Sequence, residues 1–226
     1  MVTLPPPIGR LLDVALPAVC AGCAVEGAAL CPRCRPALDA RLALPPGTPL
    51  GLADGPPPPL LQLEWCAPFA GVPRQALHAL KYTGEQRLAA PLGDAIAARW
   101  ARAGAGGEVF VPVPVHARRR AERGYDQAEL IAAAAAAGLH LPWSPALVRV
   151  RATTAQYRLD RRHRAQNVAD AFALRPDRLA RSTVRGRWVV LVDDVVTTGA
   201  TLTACAAALL DAGALAVSAV ALARER

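Results

Sequence analysis

The sequence has few aromatic residues and a single lysine. Aromatic residues make up 4% of the 226 positions, so a core must be built mainly from alanine, leucine and valine. Their scarcity also weakens any interpretation as a single-strand nucleic-acid binder, because such proteins usually stack bases on aromatic rings. Lys81 is the only lysine, so any strongly cationic surface must be made of arginine.

The sequence also lacks a recognisable membrane span or secretion signal. The apolar stretch 204–223 is interrupted by Asp211 and by Ala212-Gly213, which predict a helix, a helix end and a final strand at 215–222. Near the N-terminus, Asp13 interrupts the apolar run and no lysine precedes it, which argues against a lipoprotein signal. We therefore expect a cytoplasmic protein. Its net charge of +8 favours polyanionic partners, such as nucleic acid or phosphorylated small molecules.

Four of the six cysteines form two C-x-x-C pairs close to the N-terminus: Cys20 with Cys23, and Cys31 with Cys34. Two such pairs so close together suit tetrahedral coordination of zinc by four thiolates. Because four thiolates leave no open coordination position, we expect a structural or interaction role for this metal site. Iron in a rubredoxin-like site is an alternative, and a disulfide framework is a second one that the cytoplasmic expectation disfavours.

The chain divides into three parts. Residues 1–43 hold an N-terminal helix and the four-cysteine module, residues 44–60 form a linker rich in proline and glycine, and residues 61–226 form an α/β domain. In that domain we expect strands at 61–69 and 108–115, helices beginning at Pro73 and spanning 86–103, and a helix at 126–137 that Gly138 ends. Pro112 and Pro114 place the second strand at an edge of the sheet or mark its end.

The segment 188–203, WVVLVDDVVTTGATLT, is the most informative one. Its apolar run at 189–192 predicts a buried strand and 201–210 predicts a helix, so the turn between them lies at a helix N-terminus. Free backbone N–H groups point outward at such an end and favour an anion. The turn consists of Thr197, Thr198, Gly199, Ala200 and Thr201, in which the hydroxyls add donors and the glycine permits close approach. It therefore predicts a site for a phosphate monoester.

Asp193 and Asp194 follow the same strand, at the end where α/β sheets bind ligands, and can accept hydrogen bonds from vicinal sugar hydroxyls. The segment resembles the 5-phosphoribosyl 1-diphosphate (PRPP) motif of type I phosphoribosyltransferases. This resemblance implies that the two aspartates hold the ribose hydroxyls, help to place Mg²⁺ and act as the catalytic pair. It also implies that residues 197–201 hold the 5′-phosphate.

Further segments resemble the ComF family, phosphoribosyltransferase-like proteins linked to natural competence. VPVPVHARRRAERGYDQA is similar to that family's V-P-V-P segment, HALKYTGE to its L-K-Y-x-G segment, and the four-cysteine module to its N-terminus. Tyr125 and Asp126 stand where the family usually has Phe and Asn. The resemblance implies a central parallel sheet flanked by helices, with a small hood at 61–103, a core at 104–226 and the N-terminal zinc-binding module.

PRPP also carries a diphosphate, so its site needs a second anion pocket that faces the first. The basic loop expected at 116–124 supplies candidates, because arginine forks onto phosphate oxygens. The candidates are His116, Arg119, Arg123 and Gly124. The polar segment 153–167 has the position and composition of the lid that covers PRPP in type I enzymes. The lid residues that match the family are Thr154, Gln156, Arg164 and Asn167.

The sequence thus supports two hypotheses. In the first, the chain is a phosphoribosyltransferase that uses PRPP and Mg²⁺ and transfers the phosphoribosyl group to an unidentified acceptor during DNA uptake. In the second, it is a non-catalytic adaptor or sensor that binds single-stranded DNA or a helicase-like partner. Neither the acceptor nor the oligomeric state follows from the sequence.

Overall fold

We describe the fold from a computed structural model, which describes residues 18–47, 55–150 and 171–225. The strands are β1 (Leu63–Pro68), β2 (Val109–Pro112), β3 (Leu147–Arg149), β4 (Phe172–Leu174), β5 (Trp188–Val196) and β6 (Ala216–Arg224). Four of them form one sheet in the order β1-β6-β5-β2, and every neighbouring pair is parallel. The predicted central parallel sheet is confirmed. Strands β3 and β4 form a separate antiparallel pair.

Helices cover both faces of the central sheet. They are α1 (Gly71–His78), α2 (Ala89–Ala103), α3 (Ala117–Arg123), α4 (Gln127–Leu139), α5 (Arg178–Val184) and α6 (Ala200–Asp211). One π-helical turn, Ala79–Thr83, directly follows α1, and short 3-10 helices lie at Arg35–Asp39 and Gln86–Leu88. None of these helices, within the part of the chain that the structure describes, has the length and apolar character needed to cross a membrane.

Side-chain alternation along β5 divides the core into two layers. Val189 and Leu191 pack in the layer that contains α5 and α6, whereas Val190 and Val192 pack in the layer that contains α1, α2 and α4. A strand that is buried on both faces must be apolar at every position, which explains the unbroken run of valine and leucine before the aspartates. The first polar side chains of β5 therefore emerge at its carboxyl end.

The position and end of β2 are as expected, and two other local expectations are corrected. Strand β2 lies at the edge of the sheet and ends at Pro112, as its prolines predict. Residues 117–123, expected as a basic loop, form helix α3, because His116 caps its first turn and Arg118 pairs with Glu122 one turn later. The expected stop at Gly138 is wrong: α4 continues to Leu139, and His140 ends it in a left-handed conformation.

Two glycines allow α2 and α4 to pack closely. A β-carbon on Gly93 of α2 would lie 2.4 Å from Cβ of Ala134 and 2.8 Å from the backbone nitrogen of Ala135. A β-carbon on Gly138 of α4 would lie 3.1 Å from Cβ of Ala97. Gly138 therefore belongs to a helix contact, which explains why it does not end the helix.

The four-cysteine module packs on the domain through Arg99, which also forms a buried ion pair within the domain. Arg99 of α2 is 1% exposed, and its Nη2 lies 2.6 Å from Oε2 of Glu64 on β1, which is fully buried. The Nη1 atom of Arg99 donates to the carbonyl oxygens of Arg41 and Leu44, at 2.6 and 2.8 Å. The arginine thus holds the end of the module against the sheet. Leu38 of the 3-10 helix is fully buried in the layer of α1, α2 and α4.

The division of 61–226 into hood and core stays a prediction. Strand β1, in the segment expected to form the hood, pairs with β6 in the central sheet. The hood segment therefore shares its sheet with the core.

Candidate functional site

The acidic pair lies at the carboxyl end of β5, and its two side chains point to opposite faces of the sheet, as adjacent strand residues do. Asp194 is 7% exposed. One of its oxygens, Oδ2, lies 2.7 Å from Nζ of Lys81 in the π-helical turn and accepts a hydrogen bond of 3.0 Å from Nε2 of Gln127 on α4. Asp194 is therefore bound by a cation and an amide from two other elements.

Asp193 has a different environment. It is half-buried, and its Oδ1 accepts a hydrogen bond of 2.8 Å from the backbone N–H of Asp194. Burial, together with the neighbouring charge of Asp194, raises the pKa of Asp193 to about 8. At neutral pH the pair thus offers mostly one protonated carboxyl group and one ion-paired carboxylate. Carboxylate oxygens are the hard ligands that Mg²⁺ prefers, so the residue types present here fit that ion.

The turn after β5 opens at the N-terminus of α6. Gly199 stands at the N-cap with a left-handed backbone (φ of 81°), and Oγ1 of Thr198 accepts a long hydrogen bond of 3.4 Å from the N–H of Ala200, the first residue of the helix. Thr197, Thr198 and Ala200 are exposed, whereas Thr201 is half-buried in the first turn of α6. The first N–H groups of a 12-residue helix therefore point toward the surface beside two hydroxyl groups. This is the geometry that binds a phosphate group.

The linker reaches this turn. A β-carbon on Gly199 would lie 2.8 Å from Cγ of Pro57, so the glycine is needed both for its positive φ and for this close contact. Nearby, the backbone N–H of Leu61 donates to the carbonyl oxygen of Val217 on β6. Residues 55–61 thus lie along the domain next to the proposed phosphate turn.

A pocket of about 470 Å³ opens between the π-helical turn and helix α3. Three basic side chains and two tyrosines give it a cationic and partly aromatic wall. Cζ of Arg123 lies 5.1 Å from the centroid of the Tyr82 ring. The pocket residues are Lys81, Tyr82, Gly84, Arg119, Glu122, Arg123 and Tyr125. Because Lys81 also binds Asp194, the pocket adjoins the acidic pair.

The two residues that differ from the usual pattern of the resembled family both hold this region together. Asp126 caps α4: its Oδ1 accepts from the N–H groups of Ala128 and Glu129, and its Oδ2 accepts from that of Val115 at 3.0 Å. Its second oxygen thus connects the segment after β2 to α4. Burial raises the pKa of this carboxyl group. The hydroxyl of Tyr125 donates to the carbonyl oxygen of Leu80, in the π-helical turn.

The four N-terminal cysteines converge as their spacing predicts. The four Sγ atoms lie within 4.8 Å of one another, and those of Cys23 and Cys31 are 3.6 Å apart. Tetrahedral zinc with Zn–S bonds of about 2.3 Å requires sulfurs about 3.8 Å apart, whereas a disulfide requires about 2.05 Å. All described cysteines are free thiols, so the cluster fits a four-coordinate metal and not a disulfide framework.

Without a metal, the four cysteine thiols of the cluster do not all ionise readily. Burial opposes ionisation of Cys20, but hydrogen bonds from the backbone of Cys31, Cys23 and Gly22 lower the pKa of its thiol to about 6. Burial and the three neighbouring thiols raise the pKa of Cys34 to about 12. A divalent cation removes this conflict by binding all four as thiolates, so metal binding releases protons.

Comparison with known proteins agrees with this geometry. The family model of the phosphoribosyl transferase domain matches residues 109–226. The DNA utilization protein YhgH of Escherichia coli K12 is 34% identical over 206 residues, which cover 88% of this chain and 86% of that protein. Competence protein F of Haemophilus influenzae is 38% identical over 96 residues, which cover 42% and 41% of the two chains. The chain belongs to the ComF family.

A solved structure is also similar to this ComF-family chain. It is the glutamine PRPP amidotransferase of B. subtilis complexed with ADP and GMP, with a TM-score of 0.40 and 23% sequence identity. The match covers 58% of this chain and 25% of that one. The assignment to the phosphoribosyl transferase domain rests on the family model and on the relatives.

The structure gathers some of the predicted ComF-family site residues and separates others. The acidic pair and the turn 197–201 are contiguous, and Arg119 and Arg123 line the adjoining pocket. His116 and Gly124 lie at the two ends of α3, where the imidazole Nδ1 accepts from the N–H of Arg118 and the glycine ends the helix with φ of 78°. The four predicted lid residues, Thr154, Gln156, Arg164 and Asn167, lie outside the described residues.

The contacts of two residues of the site are missed by sequence reasoning. From the sequence, Lys81 is a candidate for the acceptor side, against which stands the usual solvation of a lysine on a helix, and Gln127 appears only as part of a family segment. Both contact Asp194. The one available signal is that Lys81 is the only lysine in a chain that otherwise uses arginine.

Proposed function

We propose that this protein binds PRPP and transfers its phosphoribosyl group to an acceptor. The observation that carries the proposal is the position of the acidic pair: it lies between a helix N-terminus open to a phosphate and a cationic pocket, all at one end of β5. In α/β sheets, ligands bind at the carboxyl ends of the strands. The names of the relatives suggest that this activity serves DNA uptake or DNA use.

In this proposal the 5′-phosphate lies on the turn 197–201. The N–H groups at the start of α6 and the hydroxyls of Thr197, Thr198 and Thr201 donate to its oxygens. The helix dipole adds to the attraction of the anion. Pro57 beside Gly199 excludes water from one side of this turn.

The ribose hydroxyls lie against the acidic pair. Protonated Asp193 donates a hydrogen bond to one hydroxyl, and the Asp194 carboxylate accepts one from the other. The two side chains fix the sugar ring while C1 develops positive charge. Positioning and electrostatic stabilisation then carry most of the rate enhancement.

The diphosphate lies in the cationic pocket. Arg119 and Arg123 bind its oxygens as the diphosphate leaves C1, while His116 and Gly124 hold the ends of the helix that carries both arginines. Asp193 and Asp194 would help to hold Mg²⁺, which would supply further charge neutralisation at the diphosphate. The predicted lid residues Thr154, Gln156, Arg164 and Asn167 close over PRPP and protect it from hydrolysis.

Calorimetric titration of the metal-loaded protein with PRPP and Mg²⁺ tests binding. The wild type should bind PRPP, and the double variant Asp193→Asn/Asp194→Asn should bind it at least tenfold more weakly, since two carboxyl groups no longer hold the ribose. Asp211→Asn, which removes an exposed carboxylate at the far end of α6, is the matched control and should bind as the wild type does. Absence of PRPP binding by the wild type would refute the proposal.

Release of diphosphate tests the transfer step. PRPP, Mg²⁺ and a panel of nucleobases and small amines should yield diphosphate with at least one acceptor. A protein that binds PRPP but releases no diphosphate with any of them is better described by the second function below.

A non-catalytic role in binding single-stranded DNA is the second candidate. Tyr82 is 65% exposed and stands beside Arg119 and Arg123, which combines a stacking surface with phosphate-binding groups. Fluorescence anisotropy with an oligonucleotide should then show salt-dependent binding that Tyr82→Ala weakens. Binding that neither salt nor this substitution alters would count against the role.

A further inference from the structure

The only lysine of the chain is held at the acidic pair. Lys81 lies near the end of the π-helical turn Ala79–Thr83, and its side chain is 18% exposed. Its Nζ is 2.7 Å from Oδ2 of Asp194. All other permanently charged basic side chains are arginines, which carry a planar guanidinium group. Lys81 instead carries a compact ammonium group on a flexible side chain.

Two hydrogen bonds hold the backbone around Lys81, and a third holds its partner Asp194. Tyr125 donates from its hydroxyl to the carbonyl oxygen of Leu80, the residue before the lysine. Gly84, with φ of 76°, ends the π-helical turn, and its N–H donates to the carbonyl oxygen of Ala79. Gln127 donates to the same oxygen of Asp194 as Lys81 contacts. The backbone around the lysine is thus fixed, whereas its four-carbon side chain can still swing.

Lys81 stands between Asp194, which attracts its ammonium group, and a pocket that attracts it only when an anion occupies the pocket. Lys81 lines that pocket together with Arg119 and Arg123. A diphosphate in that pocket carries more negative charge than one carboxylate, and an ammonium group reorients easily because it has no planar geometry to satisfy. Occupation of the pocket therefore favours movement of the ammonium away from Asp194.

We infer that Lys81 is an internal counter-ion which neutralises Asp194 in the free protein and moves to the diphosphate group when the ligand binds. The movement frees Asp194 to accept from a ribose hydroxyl and adds a cation at the leaving group. Lys81 thus contacts the ligand directly and couples the two halves of the site. The inference rests on the proposed function for its ligand, but the ion pair and its response to diphosphate are measured separately.

A single lysine permits a selective measurement. Protein labelled with ¹⁵N at the lysine Nζ gives one side-chain signal in NMR spectra of the full metal-loaded chain. In the free protein this ammonium should be protected from rapid proton exchange, and Asp194→Asn should remove the protection. Addition of inorganic diphosphate with Mg²⁺ should shift the signal, and PRPP with Mg²⁺ should shift it similarly.

The outcomes separate this inference from the proposed function. If neither inorganic diphosphate nor PRPP moves the signal, or if Asp194→Asn leaves it unchanged, the inference is overturned. If inorganic diphosphate moves the signal while calorimetry detects no PRPP binding, the counter-ion role stands and the proposed function fails.

Variants at position 81 give a second readout. Lys81→Gln should weaken diphosphate binding about tenfold, the effect of losing one charge-assisted hydrogen bond. Lys81→Arg keeps the charge but not the compact ammonium group, so it should recover part of this affinity, whereas equal loss in both variants would point to a structural role and contradict the inference. Circular dichroism and metal content confirm that each variant is folded.

Discussion

The two neighbouring carboxyl groups of β5 differ because the strand directs them to different surroundings. Asp194 meets Lys81 and Gln127, whereas Asp193 is bound by a backbone N–H and lies next to the charge of Asp194. Burial together with that charge raises the pKa of Asp193 to about 8. One strand thus provides a hydrogen-bond donor and a charged acceptor side by side.

The raised pKa predicts how stability depends on pH. Unfolded Asp193 titrates near the ordinary value of about 3.9, so between pH 4 and 8 the folded state holds one more proton than the unfolded state at this residue. Its contribution to stability is complete below pH 4 and is lost as pH rises toward 8. Asp193→Asn has no charge to lose, so its free energy of unfolding should increase relative to wild type by up to about 1.4 kcal/mol per pH unit.

Urea denaturation of the metal-loaded proteins at pH 6, 7 and 8 measures this difference. Asp211→Asn, at an exposed position, is the control and should follow the wild type at all three values. A difference between Asp193→Asn and wild type that stays constant with pH would contradict the raised pKa.

Single residues also mark the limit of sequence reasoning. The acidic pair and the turn at 197–201 can be predicted as site residues because they lie together in one short segment of the sequence. The partner of Asp194 is not predictable in this way, since Lys81 reaches it only after the π-helical turn and β5 have been brought together by the fold. The sequence therefore shows that a lysine is present, but it does not show that this lysine lies within 2.7 Å of Asp194.

Helices and strands with a regular pattern of apolar residues are predicted better than those that depend on polar side-chain contacts. The apolar runs of β5 and β6 and the periodic helices α2 and α6 follow from the sequence, because burial sets their pattern. Helix α3 has no buried residue and depends on the cap from His116 and on the Arg118–Glu122 pair. The sequence alone predicts that Gly138 ends α4, whereas the structure places this glycine in the contact between α4 and α2.

The contact between α2 and α4 gives a matched pair of glycine substitutions. Alanine within a helix is favoured over glycine by about 1 kcal/mol. At Gly93 the new β-carbon meets Ala134 and backbone atoms at 2.4 to 2.9 Å, so overpacking should exceed this gain and Gly93→Ala should lower stability by about 2 kcal/mol. At Gly138 it meets one methyl group at 3.1 Å, so Gly138→Ala should be nearly neutral.

Thermal unfolding of Gly93→Ala and Gly138→Ala measures the change in stability of each variant. The distance between the helices is confirmed if only Gly93→Ala loses stability. Equal stability of the two variants would mean that α2 and α4 pack less closely than described.

At the scale of the whole molecule, the N-terminal module and the domain share one core. Leu38 lies among the residues that pack against α1, α2 and α4, and the backbone N–H of Arg41 donates to the carbonyl oxygen of Cys66 on β1. The Arg99–Glu64 pair adds hydrogen bonds to the carbonyl oxygens at the end of the module. Spacing alone predicts the metal cluster, but it gives no indication of this docking, which depends on residues from three separate segments.

Because the module and the domain share a core, removal of the metal should destabilise both. Cys31→Ser removes one ligand, and Gly22→Ala keeps all four but places a β-carbon 2.8 Å from Sγ of Cys34. We expect each variant to bind less metal and to unfold in one transition. The melting temperature of Cys31→Ser should be about 10 °C below that of the wild type, which corresponds to a loss of about 3 kcal/mol in the free energy of unfolding for a chain of this size. A strong chelator should lower the wild-type transition similarly and leave Cys31→Ser unchanged.

Calorimetric scans with metal analysis on the same samples measure this coupling. Elemental analysis and the visible spectrum also decide the metal, because iron thiolate absorbs visible light and zinc, with its filled d shell, does not. An independent module would give a different result: a small early transition for residues 18–47, and a main transition at the wild-type temperature. That result would contradict the shared core, since the domain would then keep its stability after the contacts of Leu38 and Arg41 were lost.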